Sequence, residues 1–249
     1  MEQNVEQDKV ANSLWVGDKL SPQHVMSINS FIQNGFKYNL YTYNEVKNIP
    51  SGVNILDGNV ILPKSRIWTY QQGFNKGGLS GYSCEFRYKF LYEYGGLFVD
   101  TDIVLLKDFN LDKPYIFISE LNEVGNVIAT NGLIYSQSGT SSGKIWSEAL
   151  DDISYRNKAR LIHGEVGPIL LNSLVNKHKL KKYVLQPNLF CSIGWFETEK
   201  LIDGTQLPND AIGIHLCDAK SKLNDIDKKT FPHVSICLLY TSPSPRDRG

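Results

Sequence analysis

The chain has 249 residues, 41% hydrophobic and 21% charged, with a formal net charge of zero. It is long enough to bury a large core, and its composition is that of a globular protein rather than a disordered or membrane-spanning one. With the two signs of charge interspersed, it lacks the basic field on which nucleic-acid binding depends, so no nucleic-acid partner is expected.

The segment from Met1 to Val10 has neither the basic nor the apolar region of a secretory leader, which predicts a cytoplasmic protein, at most in peripheral contact with the inner face of a membrane. Cys84, Cys191, Cys217 and Cys237 lack the paired spacing of a zinc or redox motif and read as free thiols. Ser13 to Gly17 reads as a short buried strand. Ser21-Pro22 supplies a cap and a first-turn proline, Val25, Ile28 and Ile32 recur at helical spacing, and Asn34-Gly35 stops the helix. Tyr38 to Tyr43 is aromatic and strand-forming, so the chain opens β-α-β and a parallel sheet is expected. From Glu45 to Pro63 the punctuation by Pro50, Gly52 and Gly58 predicts loops with short strands.

A helix is expected over Leu79 to Tyr94, with Tyr82, Phe86 and Phe90 forming its apolar stripe and Gly95-Gly96 its stop. Leu97-Phe98-Val99 is a buried strand, and Asp100-Thr101-Asp102 follows directly, at the strand end where ligands bind in open α/β sheets. Tyr115 to Ser119, Val127 to Tyr135 and Ala211 to Leu216 read as strands, and Ser142 to Ile153 and Pro168 to His178 as helices. One domain is expected over residues 1–237, with a first part at about 10–110 and a second at about 111–237. Leu238 to Gly249, LLYTSPSPRDRG, resembles the translated read-through of a sequencing adapter, which would mean that the native carboxyl end is missing; a disordered tail is the alternative.

On an extended segment, period-2 geometry turns Asp100 and Asp102 to one side, where two ionised carboxylates call for a cation. Hard oxygen ligands favour Mg2+ or Mn2+, ions that also hold phosphates. An Asp-x-Asp pair is a weak signal alone, but the apolar lead-in YEYGGLFV is not that of a surface turn.

Trp15-Val16-Gly17, Ser83-x-x-x-Arg87, Gly95-Gly96-Leu-Phe-Val-Asp-Thr-Asp and Gly167-Pro168 resemble the bacterial glycosyltransferases with a DXD sugar-binding region, a family of capsule and surface-polysaccharide enzymes similar to the catalytic domain of the large clostridial glucosylating toxins. The resemblance runs from about Ser13 to His215. It implies a GT-A fold (an α/β, Rossmann-like mixed sheet flanked by helices), a nucleotide-sugar donor, UDP-linked, a Mn2+ or Mg2+ ion, a glycan or lipid-linked acceptor, and transfer with retention. It gives Trp15, with Val16 and Gly17 beside it, the donor base; the alternative is a core tryptophan. Arg87 would reach donor sugar or phosphate, or else make a surface salt bridge, while Ser83 would help bind the donor and Asn131-Gly132 would form an acceptor-side or sugar-side loop, or otherwise serve as a turn. Asp100 would bind ribose and sugar hydroxyls and help hold the metal, and Asp102 would be its direct ligand. His215 would be a third ligand or a core histidine, with Asp218 in reserve where the relatives have Trp-Asn. The pattern is broken at Cys84, where relatives have aspartate or asparagine against the donor sugar and a thiol bonds weakly.

Two other classes compete. DTDIV fits the Asp-x-Asp-x-Val of haloacid-dehalogenase-like phosphatases, with Asp100 as nucleophile, although that motif follows the first strand of its domain. A module that binds sugar nucleotide or glycan without turnover is the other.

Overall fold

The computed structural model describes residues 9–138, 142–201 and 205–217. The tail, Cys237 and Asp218 lie outside them. The central sheet has six strands in the order β3-β2-β1-β4-β7-β6: β1 Val10–Trp15, β2 Lys37–Thr42, β3 Val53–Asp57, β4 Gly96–Val99, β6 Tyr115–Leu121 and β7 Val127–Ser136. β3, β2, β1 and β4 run parallel, while β7 is antiparallel to both β4 and β6. β5 Ile103–Leu105 pairs with β8 Gly213–His215 in a separate two-stranded sheet. Among the described residues, four α-helices flank them: α1 Pro22–Gln33, α2 Ser80–Glu93, α3 Ser142–Tyr155 and α4 Leu170–Lys177.

β4 shows why the sheet lies in the middle. Its residues are buried on both faces, Phe98 in an aromatic core with Phe86, Phe90 and Trp146, and Leu97 and Val99 in a second core with Ile28, Phe31 and Leu40. Continuous apolar runs suit parallel strands covered by helices on both sides. On one side α2 and α3 pack through the stacked rings of Tyr88 and Trp146, 5.7 Å apart. On the other, Ser27 of α1 donates to the Ile103 carbonyl at 2.5 Å and the Leu105 amide donates to Ser30 at 2.8 Å, which ties the small sheet to the first helix.

Several local expectations change. β1 begins at Val10 rather than Ser13, because pairing with β2 extends the strand beyond its apolar residues. Helix α4 starts at Leu170 rather than Pro168, since Gly164, at φ +93°, and Gly167, with a non-helical backbone, open a wide turn before it. The Asp100–Asp102 segment is not extended: the Ile103 amide donates to the Asp100 carbonyl at 3.2 Å, closing a tight turn between β4 and β5. Among the described residues, no helix is long and apolar enough to cross a membrane.

Candidate active site

β1 sends its chain to β2 on one side and is flanked by β4 on the other, so the sheet has its topological switch between β1 and β4. Beyond the carboxyl ends of these strands lies a cavity of about 660 Å3 whose walls include Trp15, Arg87, Asp100, Asp102, Asn131 and His215. Both position and size suit a small-molecule ligand.

Trp15 ends β1 and packs against His24 of α1, ring centres 4.4 Å apart. His24 is fixed in turn by Ser21, whose hydroxyl lies 2.8 Å from its Nδ1. The indole Nε1 of Trp15 is buried without a hydrogen-bond partner, an orphaned donor at the edge of the cavity. Val16 and Ser83 also border the cavity; Gly17 does not, but a Cβ there would stand 3.1 Å from Trp15 Nε1, so it leaves room for the indole.

Arg87 points inward from α2 and is 1% exposed, which removes the surface salt-bridge alternative. One arm of its guanidinium donates to Asp100, the other to Cys84 Sγ at 3.7 Å, and the Phe98 ring lies 5.1 Å away. Its Nε has no partner. Burial pushes the Asp100 carboxyl up to about 6, against the opposing influence of Arg87 and His215 and with that of Asp102. Burial also pushes the Cys84 thiol up to about 11, even with Arg87 beside it.

The turn separates the two aspartates: Asp100 faces Arg87, and Asp102 faces His215, with Oδ2 3.6 Å from Nε2. Pairing of Ile103 with His215 and the bond from the Leu216 amide to the Asp102 carbonyl at 2.9 Å create this approach. Burial opposes charge on His215, but Cys217 and Asp102 outweigh it and hold its pKa well above the ordinary value. Among the described residues no three His, Cys, Asp or Glu side chains are gathered as a metal site. A carboxylate and an imidazole at this separation nevertheless fit one divalent cation whose other positions would go to water and phosphate, with the imidazole nitrogen favouring Mn2+ over the all-oxygen preference of Mg2+. The trio of Asp100, Asp102 and His215 thus reduces in this structure to a close pair plus an aspartate turned to arginine.

Asn131 is buried on β7 and donates to the Tyr88 hydroxyl at 2.7 Å, while its Oδ1 has no partner. Other cavity residues escaped sequence reasoning: Glu120 on β6, His163 and Trp195. Glu120 left one trace, a charge closing the otherwise apolar run of Tyr115 to Ser119. Asp100 cannot be placed as the nucleophile after a first strand, because the turn follows β4.

An open mixed sheet flanked by helices, with an acidic turn at its switch crevice, is the GT-A glycosyltransferase fold. The family model for the glycosyltransferase sugar-binding region containing the DXD motif matches residues 22–121, from α1 through β6, and so spans Arg87 and the acidic turn. Among solved structures the chain is similar to the apo-form glycosyltransferase GlyE of Streptococcus pneumoniae TIGR4, at 14% identity and TM-score 0.54, over 95% of this chain and 61% of that one. It is also similar to the bifunctional glycosyltransferase WbbM, at 12% identity and TM-score 0.52, over 97% of this chain and 51% of that one. The chain thus spans between half and two thirds of these proteins, and at such identities the likeness is one of fold. No curated protein sequence matches. The likeness to the family model is thus confined to residues 22–121, and that to the solved structures to the fold.

Proposed function

We propose that the protein is a metal-dependent, retaining glycosyltransferase that moves a hexose or N-acetylhexosamine from a UDP-linked donor to a hydroxyl of a glycan or lipid-linked acceptor. Its setting would be surface-polysaccharide or glycoconjugate synthesis, in the cytoplasm or at the inner face of the membrane. The observation that carries this reading is the meeting in one cavity of an aromatic face, Trp15, a buried guanidinium, Arg87, and the Asp102–His215 pair.

In this reading Trp15 holds the nucleotide base, and its orphaned Nε1 donates to the bound nucleotide. Asp100 accepts hydrogen bonds from ribose and sugar hydroxyls, oriented by Arg87, while Ser83 and Asn131 border the sugar. Asp102 and His215 would hold Mn2+ or Mg2+, which when bound neutralises charge on the diphosphate. The acceptor oxygen forms the new bond to the anomeric carbon, and the bond from that carbon to the diphosphate breaks with its electron pair leaving on the diphosphate. The acceptor proton passes to the departing phosphate oxygen or to solvent. Attack from the face on which the diphosphate leaves gives retention. Arg87 supplies fixed positive charge toward the leaving group, and because it is buried it needs no reorganisation at that moment.

Incubation with UDP-glucose, UDP-galactose and UDP-N-acetylglucosamine plus Mn2+, with UDP release measured, tests the reading. At least one donor is expected to be turned over, and Asp102→Asn should lower the rate about 100-fold or more. Equal release by Asp102→Asn, or donor binding with no release from any of the three, sinks the catalytic assignment.

A further inference from the structure

β6 carries a carboxylate whose position is unusual. Its residues from Tyr115 to Glu120 are all buried, and Glu120, 7% exposed, ends that run at the cavity wall. The ladder between β6 and β7 shifts register between Phe117 and Ser119, just before it. Bulges next to sites re-aim the side chains that follow them. Ser119 is turned away, its hydroxyl donating to the Leu185 carbonyl at 2.5 Å.

Among the described residues no side chain hydrogen-bonds to the Glu120 carboxylate or forms an ion pair with it. Burial pushes its pKa up, against the opposing influence of His215. A buried carboxylate without a partner costs stability, and such a group aimed into a cavity is a sign of ligand contact. Asn131 on the neighbouring strand gives a second, independent sign. The single hydroxyl proton of Tyr88 goes to the Val166 carbonyl at 3.2 Å, so Asn131 must turn its amide NH2 to Tyr88 and leave Oδ1 unanswered. Two acceptors at the wall of one cavity, both lacking donors, fit a ligand with several hydroxyl groups. Cys84 lines the same cavity but is a weak acceptor, so hydrogen bonds to the sugar must come from elsewhere.

We propose that Glu120 binds the transferred sugar directly, accepting hydrogen bonds from its hydroxyls, with Asn131 Oδ1 as the second acceptor. The inference rests on the enzymatic reading above and deepens it: Glu120 makes the contact with the donor sugar that the family pattern gives to the position of Cys84.

The test compares UDP, the UDP-sugar that the wild-type protein turns over, and Mn2+, in binding titrations on wild type and Glu120→Gln. The amide keeps the shape but loses the carboxylate's acceptor strength. Mn2+ and UDP affinities should stay within about twofold, while UDP-sugar affinity and kcat/KM for UDP release fall about tenfold or more. Since the substitution removes an unpaired buried charge, the melting temperature should not fall. Equal weakening of UDP and UDP-sugar, loss of Mn2+ affinity, a melting temperature several degrees lower, or unchanged sugar binding each overturns the assignment. A wild-type protein that neither prefers a UDP-sugar over UDP nor releases UDP fails at the enzymatic reading, and the role of Glu120 falls with it.

Discussion

Cys84 lies one helical turn before Arg87, where it meets the same guanidinium that bonds Asp100. A thiol next to an arginine is often activated, because positive charge favours the thiolate. Here burial wins and its pKa rises to about 11, so roughly one part in a thousand is ionised at pH 8, against about a quarter for an ordinary thiol. Native protein treated with iodoacetamide at pH 8 and mapped by mass spectrometry should therefore carry little label at Cys84, with labelling rising steeply toward pH 11. Labelling at the rate of a free cysteine would contradict the burial argument.

The helix-to-strand junction that sets up the acidic turn depends on a glycine. α2 ends at Glu93, and Gly95 then adopts φ +65° while its amide still bonds the Leu91 carbonyl at 3.1 Å. A Cβ there would stand 2.7 Å from the Ser138 Cα and 2.8 Å from the Ser136 carbonyl oxygen, both backbone atoms that cannot swing aside. Gly95→Ala should destabilise the protein by about 2 kcal/mol or more in urea unfolding, from strain and overlap together. Because α2 carries Arg87 and β4 leads into Asp100, the same change should weaken donor binding; an unaffected unfolding midpoint would refute the account. The junction was readable in advance, as Gly95-Gly96 between an aromatic helix stripe and Leu97-Phe98-Val99. The conformation of the next three residues was not. Alternation along a strand placed both aspartates on one side, whereas the bond from Ile103 to the Asp100 carbonyl turns the chain and gives each aspartate its own partner.

Across the molecule, α3 and α4 are joined at the surface by Glu148, which receives hydrogen bonds from Lys177 at 2.8 Å and His178 at 3.0 Å. These bonds lower its pKa to about 2. An unfolded glutamate titrates near ~4.3, so the stabilisation is complete above that value and is lost as pH falls from about 5 toward 2. Urea midpoints of Glu148→Gln and wild type should differ at pH 6 and converge in acid and in high salt. A difference that persists unchanged at pH 3 would show that the effect is not ionic.

The order of the elements follows from local chemistry. Proline after Ser21, the glycine stops at Gly35 and Gly95, and the switch from helical spacing to short apolar runs are encoded within a few residues of where they act. The same holds for the acidic pair at the end of β4, since strand ends in a parallel sheet are where ligands gather. What surrounds that pair depends on partners distant along the chain. His215 reaches Asp102 because β8 pairs with β5, a strand of three residues too short to carry a pattern of its own. Arg87 is buried because Phe98 and Asp100 cover it, and a helix pattern alone does not distinguish an inward arginine from a solvated one. Glu120 enters the cavity through a register shift that no alternation of side chains announces. Short-range rules assign the elements; the cavity's chemistry is set by which ends of those elements the folded sheet brings together.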